Sequence, residues 1–264
     1  ELFPAGHKIR PQDLAILVAT GNKVVNVFKK LKIAIFSTGD ELVDLESLKT
    51  KNTKLGNIYD SNRPMLNNII KAWGFYTVDC GIIPDDEVLL KERLDRASMT
   101  ADVIVISGGA SAGEEDHVSK LIRVQGTLRN WRIAVKPGRP LAIGSWREKP
   151  IFGLPGNPVA AFVCSLIFVK PALGILSGSK WSTPRGFLLP SKFEKKKKLG
   201  RREYLRARLT EEGEVEVYPS EGSGRIYSLS WSTGLVELLE NKEGVCRGEL
   251  VRFIPYSSFE ILGS

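Results

Sequence analysis

The chain has 264 residues, of which 42% are hydrophobic and 26% charged, the composition of a soluble globular protein with room for one large domain or two ordinary ones. Its formal charge of +8 is spread along the chain without interleaved aromatics, so phosphates or oxyanions are the expected partners and nucleic acid is not. Cys80, Cys164 and Cys246 are scattered, and His7 and His117 are the only histidines, which excludes a disulfide framework or zinc cluster and points to a reducing, cytoplasmic setting. No signal peptide is read at Glu1–Gly6, and no window is read as approaching the roughly 18–20 apolar residues of a membrane span, so no membrane insertion is expected.

Pro11–Ala19 reads as a short helix with proline near its start, followed by an extended run through Val24–Phe28. From Lys32, strands and helices alternate. Ile33–Phe36, Tyr76–Cys80, Val103–Ile106 and Ile151–Leu154 read as buried strands. The intervening helices run from Arg63 to about Trp73, from Pro84-Asp85-Asp86 to about Met99, and over His117–Arg123. Short strands flank Lys136–Pro140, and a helix bent near Pro171–Gly174 runs from Pro158 to about Leu176. This pattern predicts an α/β fold, a three-layer, mainly parallel sheet with helices on both faces. After Ser177–Pro184 the runs shorten and alternate (203–209, 215–218, 249–254), which predicts a small all-β barrel-like domain. The expected divisions are 1–30 (linker and short helix), 31–180 (α/β domain) and 181–264 (β domain).

Five segments carry candidate chemistry. In Ile104–Asp116 a buried strand runs into Ser107-Gly108-Gly109, Ser111 and Gly113 before an acidic trio and a helix, the ingredients of an anion cradle. The segment matches neither the P-loop nor the dinucleotide fingerprint. In Phe36–Leu42 a strand ends in Thr38, Gly39, Asp40 and Glu41; adjacent carboxylates beside a phosphate site suit Mg²⁺, and a polar strand-end loop is the alternative. Lys136-Pro-Gly-Arg139-Pro140 holds two cations on a stiff frame that suits a tetrahedral oxyanion, or forms a turn with solvated charges. Pro155-Gly-Asn157-Pro158 is a rigid helix entry that is equally a binding wall. In Lys192–Arg208, Lys195–Lys198 reads as a solvated face, while Arg201, Arg202 and Arg206 lie beside a strand and are placed to reach an anion.

Read in order, Ser37–Leu42, Tyr59–Asn62, Pro84–Asp86, Ser107–Asp116, Lys136–Pro140 and Gly153–Pro158 resemble the MoeA-type molybdopterin molybdenumtransferases, the family that includes the E domain of gephyrin. The resemblance runs from about Pro4 to Phe259. It implies a molybdopterin-binding fold and Mg²⁺-assisted insertion of molybdenum from molybdate into adenylylated molybdopterin, with release of AMP. Glu41, Asp85 and Asp116 match family carboxylates linked to activity. Thr38, Gly39, Asp40, Asp60, Ser61, Asn62, Ser107, Gly108, Gly109, Ser111, Gly113, Pro155 and Asn157 would contact the cofactor precursor. Asp40 and Glu41 would hold Mg²⁺, and Lys136, Arg139, Arg202 and Ser223 would hold molybdate. The resemblance further implies a homodimer in the full-length protein and an upstream molybdopterin adenylyltransferase as supplier. It also implies an N-terminal region before Leu2, so the chain alone is expected to bind molybdopterin without full turnover. The family usually has lysine where Arg139 stands; the planar guanidinium is not equivalent, and a different molybdate affinity is expected. The rival expectations are a scaffold of the gephyrin type and an adenylyltransferase-like nucleotide enzyme.

Overall fold

The computed structural model describes residues 1–45, 55–108, 117–220 and 226–261, with side chains throughout except at 130–132. The elements in chain order begin with α1 (Pro11–Ala19), β1 (Lys32–Thr38), β2 (Leu42–Val43), β3 (Ile58–Tyr59), α2 (Asn62–Ala72), β4 (Tyr76–Ile83), α3 (Glu87–Thr100) and β5 (Val103–Ser107). They continue through α4 (His117–Gln125), β6 (Thr127–Arg132), β7 (Val135–Lys136), β8 (Pro140–Trp146), β9 (Lys149–Leu154), α5 (Pro158–Cys164) and α6 (Lys170–Leu176). The remainder is β10 (Phe187–Pro190), β11 (Lys195–Lys196), β12 (Arg202–Leu209), β13 (Val215–Val217), α7 (Tyr227–Trp231), β14 (Gly234–Leu238), β15 (Gly244–Val245) and β16 (Leu250–Pro255).

The first sheet has the order β4-β1-β5-β9-β8-β6. Both faces of its centre are covered, which is why β1 and β5 read as unbroken apolar runs. Ile33, Ile35, Val103 and Val105 pack on one face with α2 and α5, and Ala34, Phe36, Ile104 and Ile106 on the other with α3 and α4. Each such large side chain contributes roughly 1.5–3 kcal/mol on burial. The strands β4, β1, β5 and β9 are mutually parallel, whereas β8 is reversed and pairs antiparallel with both β9 and β6, so the sheet is mixed. The reason is local: Arg147-Glu148 joins β8 to β9 as a two-residue hairpin, too short for a parallel crossover. Both turn residues have positive φ (45° and 65°), a conformation that side chains with Cβ resist. Glu148→Gly is therefore expected to stabilise the fold by about 0.5 kcal/mol, read as a higher urea midpoint at unchanged slope.

The second sheet has the order β10-β16-β14-β12-β13, with β7 added parallel to β12. Among the described residues its ends meet at one isolated bridge, Ser191 with Val215, with no ladder between β10 and β13. Among the described residues a closed barrel is therefore not seen, and the chain leaves β10 after four residues to form β11. Tyr204, Leu235, Ile254, Tyr256 and Phe259 belong to the same apolar core as α2 and α5, and Trp73 Nε1 donates to the Phe259 carbonyl at 2.8 Å.

The expected bend near Pro171–Gly174 lies earlier, as a π-helical turn over Ser165–Val169 between α5 and α6. Pro171 has no N–H and its ring crowds the preceding turn, so the hydrogen-bond register widens ahead of it. The whole stretch Pro158–Leu176 is long and apolar enough to cross a membrane by length and composition, which corrects the sequence expectation. Here it is a core helix: 61% of the apolar window is buried, with Val159, Ala161, Val163, Leu166 and Leu173 inside.

Candidate active site

Four parallel strands end at one edge of the first sheet. From β1 the chain crosses through α2 to β4 on one side, then through α3 to β5 on the other side of β1. The loops after β1 and β5 therefore diverge, leaving the crevice that open α/β sheets use for ligands. Thr38–Glu41 follows β1, Pro84–Asp86 follows β4, Ser107-Gly108 follows β5 and Pro155–Asn157 follows β9.

These loops are locked together beneath the crevice. Gly108 has φ of +113°, and a Cβ there would stand 2.1 Å from the Thr38 carbonyl oxygen. Its N–H donates to the Leu154 carbonyl at 3.2 Å. Asn62, the first residue of α2, donates through Nδ2 to Ser107 Oγ and to the Gly156 carbonyl, both at 2.7 Å. The Gly156 carbonyl fixes the amide orientation, because only the nitrogen side can donate to it. Asn62 Oδ1 and Ser37 Oγ are left buried without a hydrogen-bond partner. Asn157 caps α5 through Oδ1 to the Val159 and Ala160 N–H groups at 3.1 and 3.2 Å, so its side chain is committed to the helix entry.

One shoulder of the edge is acidic. Asp40 Oδ1 accepts from the Asp85 N–H at 3.0 Å, and the Glu41 carboxylate folds back over Gly39. Burial and then repulsion by Asp40 and Glu41 push the Asp85 carboxyl above its ordinary value, with His117 opposing. His117 opens α4, and its Nδ1 is buried without a partner. Asp60 points inward instead: it accepts from the Arg63 N–H at 3.1 Å and Nε at 2.9 Å, and Arg63 also pairs with Asp79 and Asp44. Ser61 is half-buried beside it. Among the described residues, no group of three His, Cys, Asp or Glu could by itself hold a metal ion. The pair Asp40 and Glu41 fits Mg²⁺, which takes one or two carboxylates and completes its shell with water and substrate phosphate.

The raised Asp85 value has a measurable consequence. The fold favours the protonated carboxyl, so stability is lost as pH rises from the ordinary 3.8 through the raised value. Asp85→Asn is expected to raise Tm near neutral pH, and the gain should vanish as pH is lowered below 3.8; melting curves across that range check it.

The other shoulder is cationic. Because β8 runs antiparallel to β9, with Ala142 opposite Gly153, its first residues begin at the same sheet edge. Gly138 (φ +108°) sits against Cys164 of α5, where a Cβ would meet the sulfur at 2.3 Å, and burial pushes the Cys164 thiol up to about 12. Arg139 lines an open depression of about 480 Å³ together with Ile133, Ala134 and Arg201. Lys136 lies 3.7 Å from buried Glu203, which also pairs with Lys195 at 3.4 Å. Arg202 is gripped by both oxygens of Glu240 at 3.0 and 3.1 Å and by Glu237 at 3.1 Å, which raises its pKa. The depression therefore receives Arg201, not Arg202, beside Arg139: alternate residues of a strand face opposite ways. The lysine run is not a solvated face throughout, because Lys195 reaches Glu203 and Lys197 is buried. Gly109, Ser111, Gly113, Asp116 and Ser223 lie outside the described residues.

The fold is a doubly wound α/β unit whose sheet edge carries carboxylates after β1 and β4, hydroxyl and glycine groups after β5, and Arg139 ahead of β8. The family described as "Probable molybdopterin binding domain" matches residues 34–174, and the "MoeA C-terminal region (domain IV)" matches 189–256. The chain is 32% identical over 257 residues to the molybdopterin molybdenumtransferase of Haemophilus influenzae, covering 96% of this chain and 63% of that protein. A solved structure of a molybdopterin biosynthesis MoeA protein from Pyrococcus horikosii superposes with a TM-score of 0.81 at 31% identity, covering 97% of this chain and 62% of that one. Gephyrin of Dictyostelium discoideum is 35% identical over 198 residues, covering 66% of this chain and 27% of that protein. The chain belongs to the MoeA-type molybdopterin molybdenumtransferase family. It spans less than two thirds of the length of these relatives.

Proposed function

We propose that this chain acts in molybdenum cofactor synthesis, inserting molybdenum from molybdate into adenylylated molybdopterin with release of AMP. The observation that supports this most is the polarity of one sheet edge: carboxylates of Asp40, Glu41 and Asp85 at one shoulder, guanidiniums of Arg139 and Arg201 at the other. A phosphoanhydride and a tetrahedral oxyanion need these two environments. Mg²⁺, held by Asp40 and Glu41, would neutralise the adenylate phosphates. The backbone of Ser107 and Gly108 would form the floor under the dithiolene pterin, with Thr38, Gly39 and Pro155 as its rims. Arg139 and Arg201 would hold molybdate in the place assigned above to Arg139 and Arg202, and Lys136 would add positive potential. We also propose a cytoplasmic homodimer supplied by a molybdopterin adenylyltransferase.

The test uses the purified full-length protein that contains this chain, with adenylylated molybdopterin, Mg²⁺ and molybdate, reading AMP; residues 1–264 alone are expected to bind molybdopterin without full turnover. AMP release is expected only when molybdate is present, and Glu41→Ala or Asp116→Ala should each lower it at least about tenfold. Unchanged release in both variants overturns the assignment. Arg139→Gln and Arg201→Gln should each raise the molybdate concentration for half-maximal rate roughly tenfold or more, the cost of one charge-assisted contact.

A further inference from the structure

We propose that Lys197 is a positioning residue for Arg201: its buried ammonium clamps the turn that presents the Arg201 guanidinium to the depression shared with Arg139. This rests on reading that depression as an oxyanion seat. An ammonium has three N–H donors and needs three acceptors when it leaves water. Lys197 is 8% exposed, and its Nζ donates to the carbonyls of Lys198, Glu240 and Lys242 at 3.3, 3.4 and 3.2 Å. Among the described residues it forms no ion pair with a carboxylate, so it acts as a hydrogen-bonding hub for main chain.

All three acceptors belong to two turns, 197–200 and 240–243, that lie against each other. The Glu240 carbonyl also accepts from the Gly200 N–H at 2.9 Å, and the Lys197 N–H donates to the Glu243 carbonyl at 2.7 Å. On the far side of Arg201, the Glu240 carboxylate grips the Arg202 fork. Arg202 chiefly, with Lys197 adding, holds that carboxyl below its ordinary value and keeps it charged for the grip. Residues 197, 200 and 202 are thus tied to one turn, and Arg201 has its backbone fixed from both sides. Replacing the ammonium with a thioether of similar length takes a donor from three carbonyls, of which that of Glu240 keeps the Gly200 N–H, and the turns separate so that the others find water. Arg201 then shifts against Arg139, and a paired-cation seat loses affinity steeply with displacement.

The test is molybdate binding to the purified protein by equilibrium dialysis, with sulfate as the competing anion and a melting curve for every variant. Lys197→Met is expected to raise the molybdate Kd roughly tenfold, yet to change it less than about twofold when added to Arg201→Gln, because the clamp has nothing left to position. An equal loss in both backgrounds makes Lys197 a packing residue only and overturns the proposal, as does a Kd unchanged by Lys197→Met alone. If Lys197→Met does not fold, Lys197→Gln, which keeps two donors, takes its place under the same criteria. Failure of the underlying reading is separate: it shows as unchanged molybdate binding in both Arg139→Gln and Arg201→Gln.

Discussion

Gly108→Ala is expected to lower the unfolding free energy by about 3 kcal/mol and to abolish ligand binding at the crevice. Two costs add. Glycine alone occupies φ of +113° without strain, and an alanine there costs on the order of 1 kcal/mol. The new methyl also stands 2.1 Å from the Thr38 carbonyl oxygen, which is backbone of a central strand and cannot turn aside. Relief requires β1 and β5 to separate at Ser37 and Ser107, and overpacking of this kind costs about 1–3 kcal/mol. Urea unfolding gives the stability change, and molybdopterin binding gives the second. A variant with wild-type midpoint and affinity would mean that the loop after β5 does not lean on β1.

Asn62→Asp is expected to cost a similar amount, about 3 kcal/mol, for a different reason. The amide nitrogen that bridges Ser107 and Gly156 becomes an oxygen facing a carbonyl, in a residue only 7% exposed. The bond to the Gly156 carbonyl is lost and the two oxygens repel, the Ser107 contact survives only if its hydroxyl turns from the Pro155 carbonyl to donate, and a charged carboxylate is taken out of water. Asn62→Ala loses both bonds without burying charge and should cost less, about 2 kcal/mol. The ordering of the two variants, measured by urea midpoints, separates loss of the staple from charge burial. An alanine variant worse than the aspartate would show that packing volume matters more than donation at this position.

Much of the α/β unit was legible because its signals are redundant. Unbroken β-branched runs, prolines in first turns and capping aspartates all pointed the same way at Ile33–Phe36, Val103–Ile106 and the start of α3. The mixed character of the sheet was less legible, since β8 and β9 look like any two strands until the positive-φ pair Arg147-Glu148 is seen. That turn lacks the glycine or asparagine that would have announced a hairpin. At the site, strand ends could be placed from sequence, but the direction of each side chain could not. Asp60 faced both a crevice and its own helix, and only the position of Arg63 decided for the helix. Arg201 and Arg202 differ by one residue, and a one-residue slip exchanges the faces of a strand. Glu237 and Glu240, which claim Arg202, come from another strand and turn more than thirty residues away. Tertiary pairing of that kind leaves no trace in local sequence.

The strand β7 lies in the α/β segment by sequence but is hydrogen-bonded into the second sheet, pairing Val135 with Arg202 and Lys136 with Glu203. Its two residues make the seam between the halves of the molecule. One arginine of the depression follows β7, and the other immediately precedes β12, so neither half owns the pair. Folding each sheet correctly is not enough to create it; the sheets must also be stitched in register. A slip of one residue along that two-residue ladder would part the two guanidiniums and at the same time draw Val135 out of the apolar core that both sheets share, so the register of the pair is guarded by the packing beneath it.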